Sequence, residues 1–327
     1  GPHYYMELTA SPQTADLVFQ MDVFMHVTRD GGTNFDYLGT GREKHSDNHA
    51  FWVDPQDDFH LLAGTDAGLY ESYDQGTTWR HFPNLPISQF YKVAVDNAEP
   101  FYNILGGAQD LGTLFGPSRT MTTEGVRNQD WYVPLGADGY SVVFDPADGN
   151  IAYMEFQQGY MFRHHRDSNE LVHIQPQPAP GDAPERWNWD TPIVISPHQS
   201  SRIYAGSQRV WRSDDRGDSW QAISGDLTTD QNRYELKYRG RVWSVDDLHD
   251  NGAMSKYSTI TAISESPVSE GVIYTGSDDG LIHSTGDGGK TWLKANDLPG
   301  VPGRSFINDI EASLYDADTF FVVADAH

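Results

Sequence analysis

The octapeptide Ser213-Asp-Asp215-Arg-Gly217-Asp-Ser-Trp220 decides the fold, because three more copies of its pattern occur along the 327-residue chain. The other copies are Thr28-Arg-Asp30-Gly-Gly32-Thr-Asn-Phe35, Ser72-Tyr-Asp74-Gln-Gly76-Thr-Thr-Trp79 and Thr285-Gly-Asp287-Gly-Gly289-Lys-Thr-Trp292. The Asp can accept hydrogen bonds from turn amides, the Gly can adopt positive φ, and the aromatic ring can plug the turn against a neighbouring sheet. Each copy therefore predicts a tight hairpin between two strands.

The spacing of these octapeptides indicates a repeat protein. Asp30 and Asp74 are 44 residues apart, and the 141 residues from Asp74 to Asp215 equal three steps of 47. Two repeats in that interval are expected to have lost the octapeptide. Asp287 follows Asp215 by 72 residues, which is one repeat plus an insertion.

A second signal is an apolar strand, a turn containing Asp-Pro or Ser-Pro, and another apolar strand. It occurs seven times, the last in degenerate form: Met6–Pro12, Ala50–Pro55, Tyr91–Asn97, Tyr140–Pro146, Pro192–Pro197, Ile260–Pro267 and Asp309–Ala317. A period in the forties with several short strands per repeat is typical of a β-propeller, in which each repeat is one blade. We predict an all-β fold: a seven-bladed β-propeller forming a single domain over residues 1–327.

The last copy contains only two strands before the sequence stops at His327. The seventh blade is therefore either incomplete, in a piece of a longer protein with further domains, or closed by N-terminal residues. Gly1-Pro2 is consistent with either a protease-cleavage scar or native sequence.

The composition excludes several classes of function. A formal charge of −25 argues against nucleic-acid binding, which needs a positive surface. The chain has no cysteine, so disulfides, thiolate metal sites and cysteine nucleophiles are excluded. No apolar run is long enough to span a membrane, and no signal peptide is visible in the sequence.

Two segments depart from the strand pattern. Residues 225–256 form the predicted non-propeller insertion, and residues 175–184 form a Pro-rich excursion. A loop as long as the first is usually functional or disordered, and we expect it to lie across one mouth of the channel.

Other motifs resemble the bacterial proteins described as sortilin-N-terminal-like or BNR-repeat (Asp-box) glycosyl hydrolases. They are His49-Ala-Phe-Trp-Val-Asp-Pro55, Leu85-Pro-Ile-Ser-Gln-Phe-Tyr91, Gly106-Gly-Ala-Gln-Asp110, Gly136-Ala-Asp-Gly139, Trp187-Asn-Trp-Asp190 and Ser196-Pro-His198. Where those relatives read Gln-Asp-Asn-Gly, this chain has Gln109-Asp110-Leu111-Gly112. The resemblance implies an extracellular or periplasmic location. It also implies that the boxes lie at the blade periphery without chemistry, so that Asp30, Asp74, Asp215 and Asp287 are structural.

One candidate metal site is His45-Ser-Asp47-Asn-His49, because alternate residues of an extended segment point to the same face. Imidazole and carboxylate are ligands for zinc, and carboxylates are ligands for calcium. Asp110, Asp138 and His198 occupy comparable strand-adjacent positions and can converge on the same axial space. The plainer interpretation is that all these side chains are polar channel residues bonded to water and backbone amides.

Two functional hypotheses remain open. The protein binds a glycan, peptide or protein at its channel mouth, with Trp187, Trp189, His198 and Tyr140 as candidate binding residues. Alternatively it is a glycoside hydrolase in which Asp110 and Asp138 form the required carboxylate pair. The aromatic residues of such propellers are more often packing residues than sugar platforms.

Overall fold

The protein is all-β. The computed structural model describes residues 6–39, 42–85, 87–238, 240–242, 256–295 and 298–326, which contain 28 strands and two short 3-10 helices, Asn128–Asp130 and Arg233–Glu235. The chain forms two compact units, of which the first takes in the described residues from 6 to 88 and the second those from 89 to 326.

The first unit contains two four-stranded antiparallel sheets in simple sequential order. Sheet 1 consists of β1 (Leu8–Ala10), β2 (Val18–Gln20), β3 (His26–Thr28) and β4 (Asp36–Tyr37). Sheet 2 consists of β5 (Asn48–Asp54), β6 (Asp57–Thr65), β7 (Gly68–Ser72) and β8 (Arg80–His81). Their facing side chains form one apolar cluster, in which Phe19 and Val27 of sheet 1 pack with Leu61 of sheet 2.

The second unit contains three more four-stranded sheets, numbered 3 to 5, before the 225–256 segment. Sheet 3 consists of β9 (Phe90–Val95), β10 (Asn103–Ala108), β11 (Gly112–Pro117) and β12 (Tyr132–Leu135). Sheet 4 consists of β13 (Gly139–Phe144), β14 (Ile151–Phe156), β15 (Tyr160–His165) and β16 (Glu170–His173). Sheet 5 consists of β17 (Ile193–Ile195), β18 (Ile203–Gly206), β19 (Val210–Ser213) and β20 (Gln221–Ala222).

The remaining strands of this unit form the 225–256 hairpin and two last sheets. The hairpin pairs β21 (Lys237–Tyr238) with β22 (Arg241–Val242). Sheet 6 consists of β23 (Ile260–Glu265), β24 (Ile273–Ser277), β25 (Ile282–Thr285) and β26 (Leu293–Lys294). Sheet 7 consists of β27 (Phe306–Ala312) and β28 (Phe320–Asp325) alone. The rest of the predicted insertion, residues 243–255, lies outside the described residues.

Consecutive sheets of the second unit pack face to face. A separate apolar cluster lies between sheets 3 and 4, sheets 4 and 5, sheets 5 and 6, and sheets 6 and 7. The middle strands are buried on both faces, which is why β14, β18 and β24 read as nearly continuous apolar runs. Their fully buried side chains contribute about 1.5–3 kcal/mol each. The first strands of successive sheets also lie against one another. Four-stranded meanders stacked in this way are β-propeller blades.

The seven predicted copies of the strand pattern correspond one to one to the first strands of sheets 1 to 7. The prediction of blade-type sheets in an all-β chain is confirmed. Within the described ranges β28 pairs with β27 only, and whether the last blade is incomplete or closed by N-terminal residues stays a prediction.

The four octapeptides all lie between the third and fourth strands of their sheets. Each Asp carboxylate accepts the amide N–H four residues on, at 2.9, 2.8, 2.9 and 2.9 Å for Asp30, Asp74, Asp215 and Asp287. Hydrogen bonds from that same residue are the main reason that the pKa of each carboxyl is lowered, to about 2 for Asp287. These contacts hold the turn together. The purely structural role of the four Asp residues stays a prediction.

The glycine of the octapeptide touches the preceding sheet. Gly217 has φ +91°, and a Cβ there would lie 2.9 Å from Ile174, just beyond sheet 4. Gly289 has φ +93° and approaches Ile223 in the same way. The tryptophans reach the same two residues, because Trp220 Nε1 donates to Ile174 O and Trp292 Nε1 to Ile223 O. The repeated turn therefore links each of these sheets to the one before it.

Candidate functional site

Asp110 and Asp138 are brought together at one end of sheets 3 and 4. Asp110 lies in the turn between β10 and β11 with φ +57°, and Asp138 immediately precedes β13. The Asp138 carboxylate accepts the Asp110 backbone N–H at 2.6 Å through Oδ1, and Gln157 Nε2 donates to its Oδ2 at 2.7 Å. Both oxygens of Asp138 therefore hold loops in place.

Glycines allow the two sheets to approach closely at this point. A Cβ on Gly107 would lie 2.4 Å from Tyr140 O, and one on Gly139 would lie 2.6 Å from Gly112 O. Neither Gly107 nor Gly139 has positive φ. These positions therefore require glycine because a side chain would not fit, and not because of the backbone conformation. The Gly-rich motifs quoted for the family resemblance thus lie at this contact between sheets.

Aromatic side chains meet beside this contact. Tyr140, the second residue of β13, stacks on Tyr91 of β9 with ring centroids 4.5 Å apart and an interplanar angle of 19°. Burial is the main cause that raises the pKa of Tyr140, with contributions from a hydrogen bond with Tyr91 and from the charge of Asp138, while a hydrogen bond with Trp189 opposes them. We call Tyr91, Asp138, Tyr140, Trp189 and Asp190 the Tyr140 cluster.

Asp190 adds a charged edge to the Tyr140 cluster. It lies in the loop before β17, where its Oδ1 accepts the Ser141 hydroxyl at 3.3 Å. Its Oδ2 is 3.5 Å from Lys92 Nζ of β9. The ion pair is partly exposed, with 47% of the Lys92 side chain and 34% of the Asp190 side chain accessible. A ligand can therefore reach one donor group and one acceptor group here.

Glu155 supports the loop that carries Trp189 and Asp190. It lies in β14 with no exposed surface, and its Oε1 accepts the N–H of Gly159 at 3.0 Å and of Thr191 at 3.3 Å. Its Oε2 has no hydrogen-bond partner among the described residues. Burial and, next, the charge of Asp190 raise the pKa of Glu155 well above its usual value. Glu155 therefore favours the neutral acid.

These carboxyls are poorly arranged for glycoside hydrolysis. That reaction needs a proton-donating acid and a second carboxylate on either side of the bond that breaks. Glu155 has the raised pKa of an acid but is inaccessible, and Asp138 already accepts two hydrogen bonds from the fold. The arrangement offers a stacking ring and polar groups for binding, since Tyr91 is 36% exposed.

Two predicted binding residues lie elsewhere. Trp187 is 8% exposed and packs in the apolar cluster between sheets 4 and 5, over Gly159. His198 lies in the turn between β17 and β18, which is at the other end of sheet 5, and its Nε2 is 2.8 Å from Ser266 O. The expectation that His198 converges with Asp110 and Asp138 is therefore not met.

The geometric premise of the metal site also fails. Asp47 has φ +57°, so the segment from His45 to His49 is not extended, and β5 begins only at Asn48. His49 Nε2 instead pairs with Asp66 Oδ1 at 2.6 Å, and the Ser46 hydroxyl donates to Asp47 Oδ2. Within the described part of the chain, no three His, Asp or Glu side chains are grouped so as to hold a metal ion. The assignment of calcium or zinc to these residues stays a prediction.

Sequence reasoning missed four residues of this region: Tyr91, Lys92, Asp190 and Glu155. Only Glu155 carried a usable signal, since a charged residue inside the apolar run Ile151–Phe156 needs a buried partner. Tyr91 and Asp190 lay within motifs quoted for their resemblance to a family, but their contact depends on the packing of sheets 3, 4 and 5.

No protein-family model and no curated protein matches this chain. Among solved structures it is similar to a chain from the mitotic checkpoint complex, with a TM-score of 0.46, 11% identity, and 98% of this chain and 85% of that chain covered. It is also similar to the extracellular domain of the putative one-component system BT4673 from B. thetaiotaomicron, with a TM-score of 0.46 and 11% identity, covering 98% of this chain and 37% of that one. A third is the RRP9 WD40-repeat structure, with a TM-score of 0.43, 10% identity, and coverage of 97% and 86%.

Likenesses this distant assign no function to the chain. Membership of the BNR-repeat or sortilin-like family stays a prediction from the motifs. Across the described ranges, no helix has the length and apolar character needed to cross a membrane.

Proposed function

We propose that this protein is an exported, non-catalytic β-propeller that binds a neutral glycan at the Tyr140 cluster. The observation that carries the proposal is the partly exposed Tyr91 ring, stacked on Tyr140 beside the Lys92–Asp190 ion pair. An aromatic face packs well on the C–H face of a sugar, while neighbouring polar groups fix the orientation of its hydroxyls. The exported location rests on the motif resemblance alone.

Charge favours a neutral ligand. At a formal charge of −25, the protein repels polyanions at long range, and Lys92 is already paired with Asp190. A neutral sugar loses nothing to this field and can hydrogen-bond to both members of the pair. Peptide or protein ligands are the alternative outcome of the same test.

Hydrolysis by Asp110 and Asp138 has less support, because the Asp138 oxygens are engaged by Asp110 N–H and Gln157 Nε2. If the protein nevertheless releases reducing ends from a polysaccharide, Asp138→Asn and Asp110→Asn decide whether these carboxyls are responsible. A loss of that activity in both variants would overturn the non-catalytic assignment.

The test is a glycan array followed by isothermal titration of the best neutral oligosaccharide. Tyr91→Ala is expected to weaken binding about thirtyfold, the size of a loss of about 2 kcal/mol at a buried aromatic contact. Asp190→Asn is expected to weaken it less. Tyr102→Ala is the matched control, because Tyr102 is 49% exposed on the same sheet and precedes β10, at the opposite end.

Equal losses in Tyr91→Ala and Tyr102→Ala would contradict the location of the site. Capture of peptides but no glycans would contradict the ligand class while retaining a binding function.

A further inference from the structure

The first residues of the predicted insertion, 226–231, are an ordered segment that we call the clasp. Leu227 is 7% exposed and packs in the apolar cluster between sheets 5 and 6. Thr229 donates its backbone N–H and its hydroxyl to Asp279 Oδ2, at 2.8 and 2.6 Å. An apolar anchor and a buried carboxylate therefore hold the clasp on the fold.

Arg186 joins the clasp to residues 186–191, which we call the binding loop. Its Nη2 donates to Asp226 Oδ2 at 2.6 Å, and its Nη1 is 2.7 Å from Asp230 Oδ1. Its Nε donates to Ser258 O at 3.1 Å, so every nitrogen of the guanidinium is engaged. A planar guanidinium that bridges two carboxylates fixes their relative position, which a single exposed ion pair does not.

Asn188, two residues after Arg186, anchors the middle of the binding loop. It is 6% exposed, its Nδ2 donates to the Thr259 hydroxyl at 2.8 Å, and its Oδ1 accepts the N–H of Asp190 at 3.1 Å. Trp189 lies between Asn188 and Asp190 in the chain. The two loop residues that belong to the Tyr140 cluster therefore follow directly from the anchors at Arg186 and Asn188.

The contacts of Asp190 on the opposite side, toward sheets 3 and 4, are longer. Its Oδ1 accepts the Ser141 hydroxyl at 3.3 Å, and its Oδ2 is 3.5 Å from Lys92 Nζ. The ion pairs of Arg186 with the clasp measure 2.6 and 2.7 Å. The binding loop is therefore held more tightly at the clasp than at the ligand site.

We propose that the clasp regulates ligand binding at the Tyr140 cluster, with Arg186 as the positioning residue that keeps Trp189 and Asp190 in place. This inference rests on the proposed function, because it concerns the same site. Any interaction that draws the clasp away from Arg186 should loosen the binding loop. If the fraction of molecules with the loop in place falls to about one tenth, the apparent Kd rises about tenfold.

Hydrogen–deuterium exchange of the free protein tests the coupling without any ligand. Arg186→Gln removes both ion pairs, so amides 188–191 are expected to exchange about tenfold faster, on the order of the loosening assumed above. Arg216→Gln is the matched control, because the Arg216 side chain is 33% exposed and its Nε donates to Asp145 Oδ2 at 2.8 Å. Asp145 directly follows β13, at the end of that strand away from the Tyr140 cluster. The control should leave exchange in the binding loop unchanged.

Isothermal titration with the best neutral oligosaccharide tests the effect on binding. Arg186→Gln is expected to weaken binding about tenfold, whereas Arg186→Lys should weaken it less, since a lysine keeps the charge but cannot bridge two carboxylates. Asp230→Asn removes one ion pair at a carboxylate that is 73% exposed, and about a threefold loss is expected. Urea denaturation checks folding, and this milder variant provides the test if Arg186→Gln does not fold.

Unchanged loop exchange in Arg186→Gln, or an equal change in Arg216→Gln, would overturn the proposal. Faster loop exchange with no loss of affinity would also overturn it, because the position of the loop would then not matter to the ligand. If no neutral oligosaccharide binds the wild type, the proposed function fails, while the exchange experiment still decides whether the clasp holds the binding loop.

Discussion

Two replacements of Glu155 should distinguish the contribution of its hydrogen bonds to stability from the contribution of its ionisation. Glu155→Ala leaves the N–H groups of Gly159 and Thr191 without their acceptor inside a buried region. Each unsatisfied buried donor costs about 1–3 kcal/mol, so the variant is expected to lose about 2–6 kcal/mol of unfolding free energy. Glu155→Gln keeps an acceptor oxygen for both donors and cannot ionise.

The two variants also differ in their pH dependence. A carboxyl whose pKa is raised in the folded state gives its full stability below the pKa of the unfolded chain, near 4.3, and loses it as the pH rises through the folded-state pKa. Glu155→Gln should therefore become progressively more stable than the wild type between pH 5 and pH 8. The difference should arise because the unfolding free energy of the wild type falls with pH, while the glutamine side chain of the variant does not titrate.

Urea denaturation at several pH values, followed by tryptophan fluorescence, measures these differences. A difference between Glu155→Gln and the wild type that does not vary with pH would refute the claim that burial keeps the acid neutral. A Glu155→Ala variant as stable as the wild type would refute the hydrogen-bond account. Because Thr191 closes the loop that carries Asp190, Glu155→Ala should also weaken any ligand bound at the Tyr140 cluster.

Three further stability predictions concern the repeated turns and a second buried acid. Asp215→Ala removes the acceptor of three hydrogen bonds and is expected to cost about 1–2 kcal/mol in urea denaturation, and a loss below the error of the measurement would remove its structural role. Gly217→Ala should cost about 1–3 kcal/mol, because φ is +91° and the new Cβ meets Ile174, and an unchanged midpoint would contradict that contact. Asp278 is 6% exposed, and burial raises its pKa to about 7, so stability is fully present below about pH 4 and falls as the pH rises through 7. Asp278→Asn should therefore gain stability relative to the wild type from pH 5 to pH 8, and calorimetry showing a constant difference would contradict this.

The repeated sheets were predictable from the sequence because their determinants are local. The hydrogen-bonding partners of Asp215 are Ser213 and Ser219, which lie in the same octapeptide. The strand before the turn can be recognised from its apolar residues. The lack of the octapeptide between Asp74 and Asp215 also matches sheets 3 and 4, whose third and fourth strands are joined by other turns. Information of this kind survives in a single sequence.

The site was only partly predictable, because it depends on contacts between sheets. Asp110 and Asp138 were expected to lie together from their positions beside Gly-rich turns, and Asp138 does accept the Asp110 backbone N–H, while their catalytic pairing stays a prediction. The contacts of Asp138 with Gln157 and of Tyr91 with Tyr140 join residues that are 19 and 49 positions apart in sequence. The expectation that failed on local geometry is the extended shape of the candidate metal segment His45–His49. The segment before β5 was expected to be extended, and the left-handed conformation of Asp47 turns it away from that shape.

Hydrogen–deuterium exchange with the best neutral oligosaccharide from the array tests the central claim most directly. The account predicts slower exchange on binding in peptides covering residues 89–95 and 186–192, which carry Tyr91, Lys92, Trp189 and Asp190. Protection confined to other segments, such as residues 225–242, or the absence of any neutral glycan that binds, would contradict a glycan site at the Tyr140 cluster.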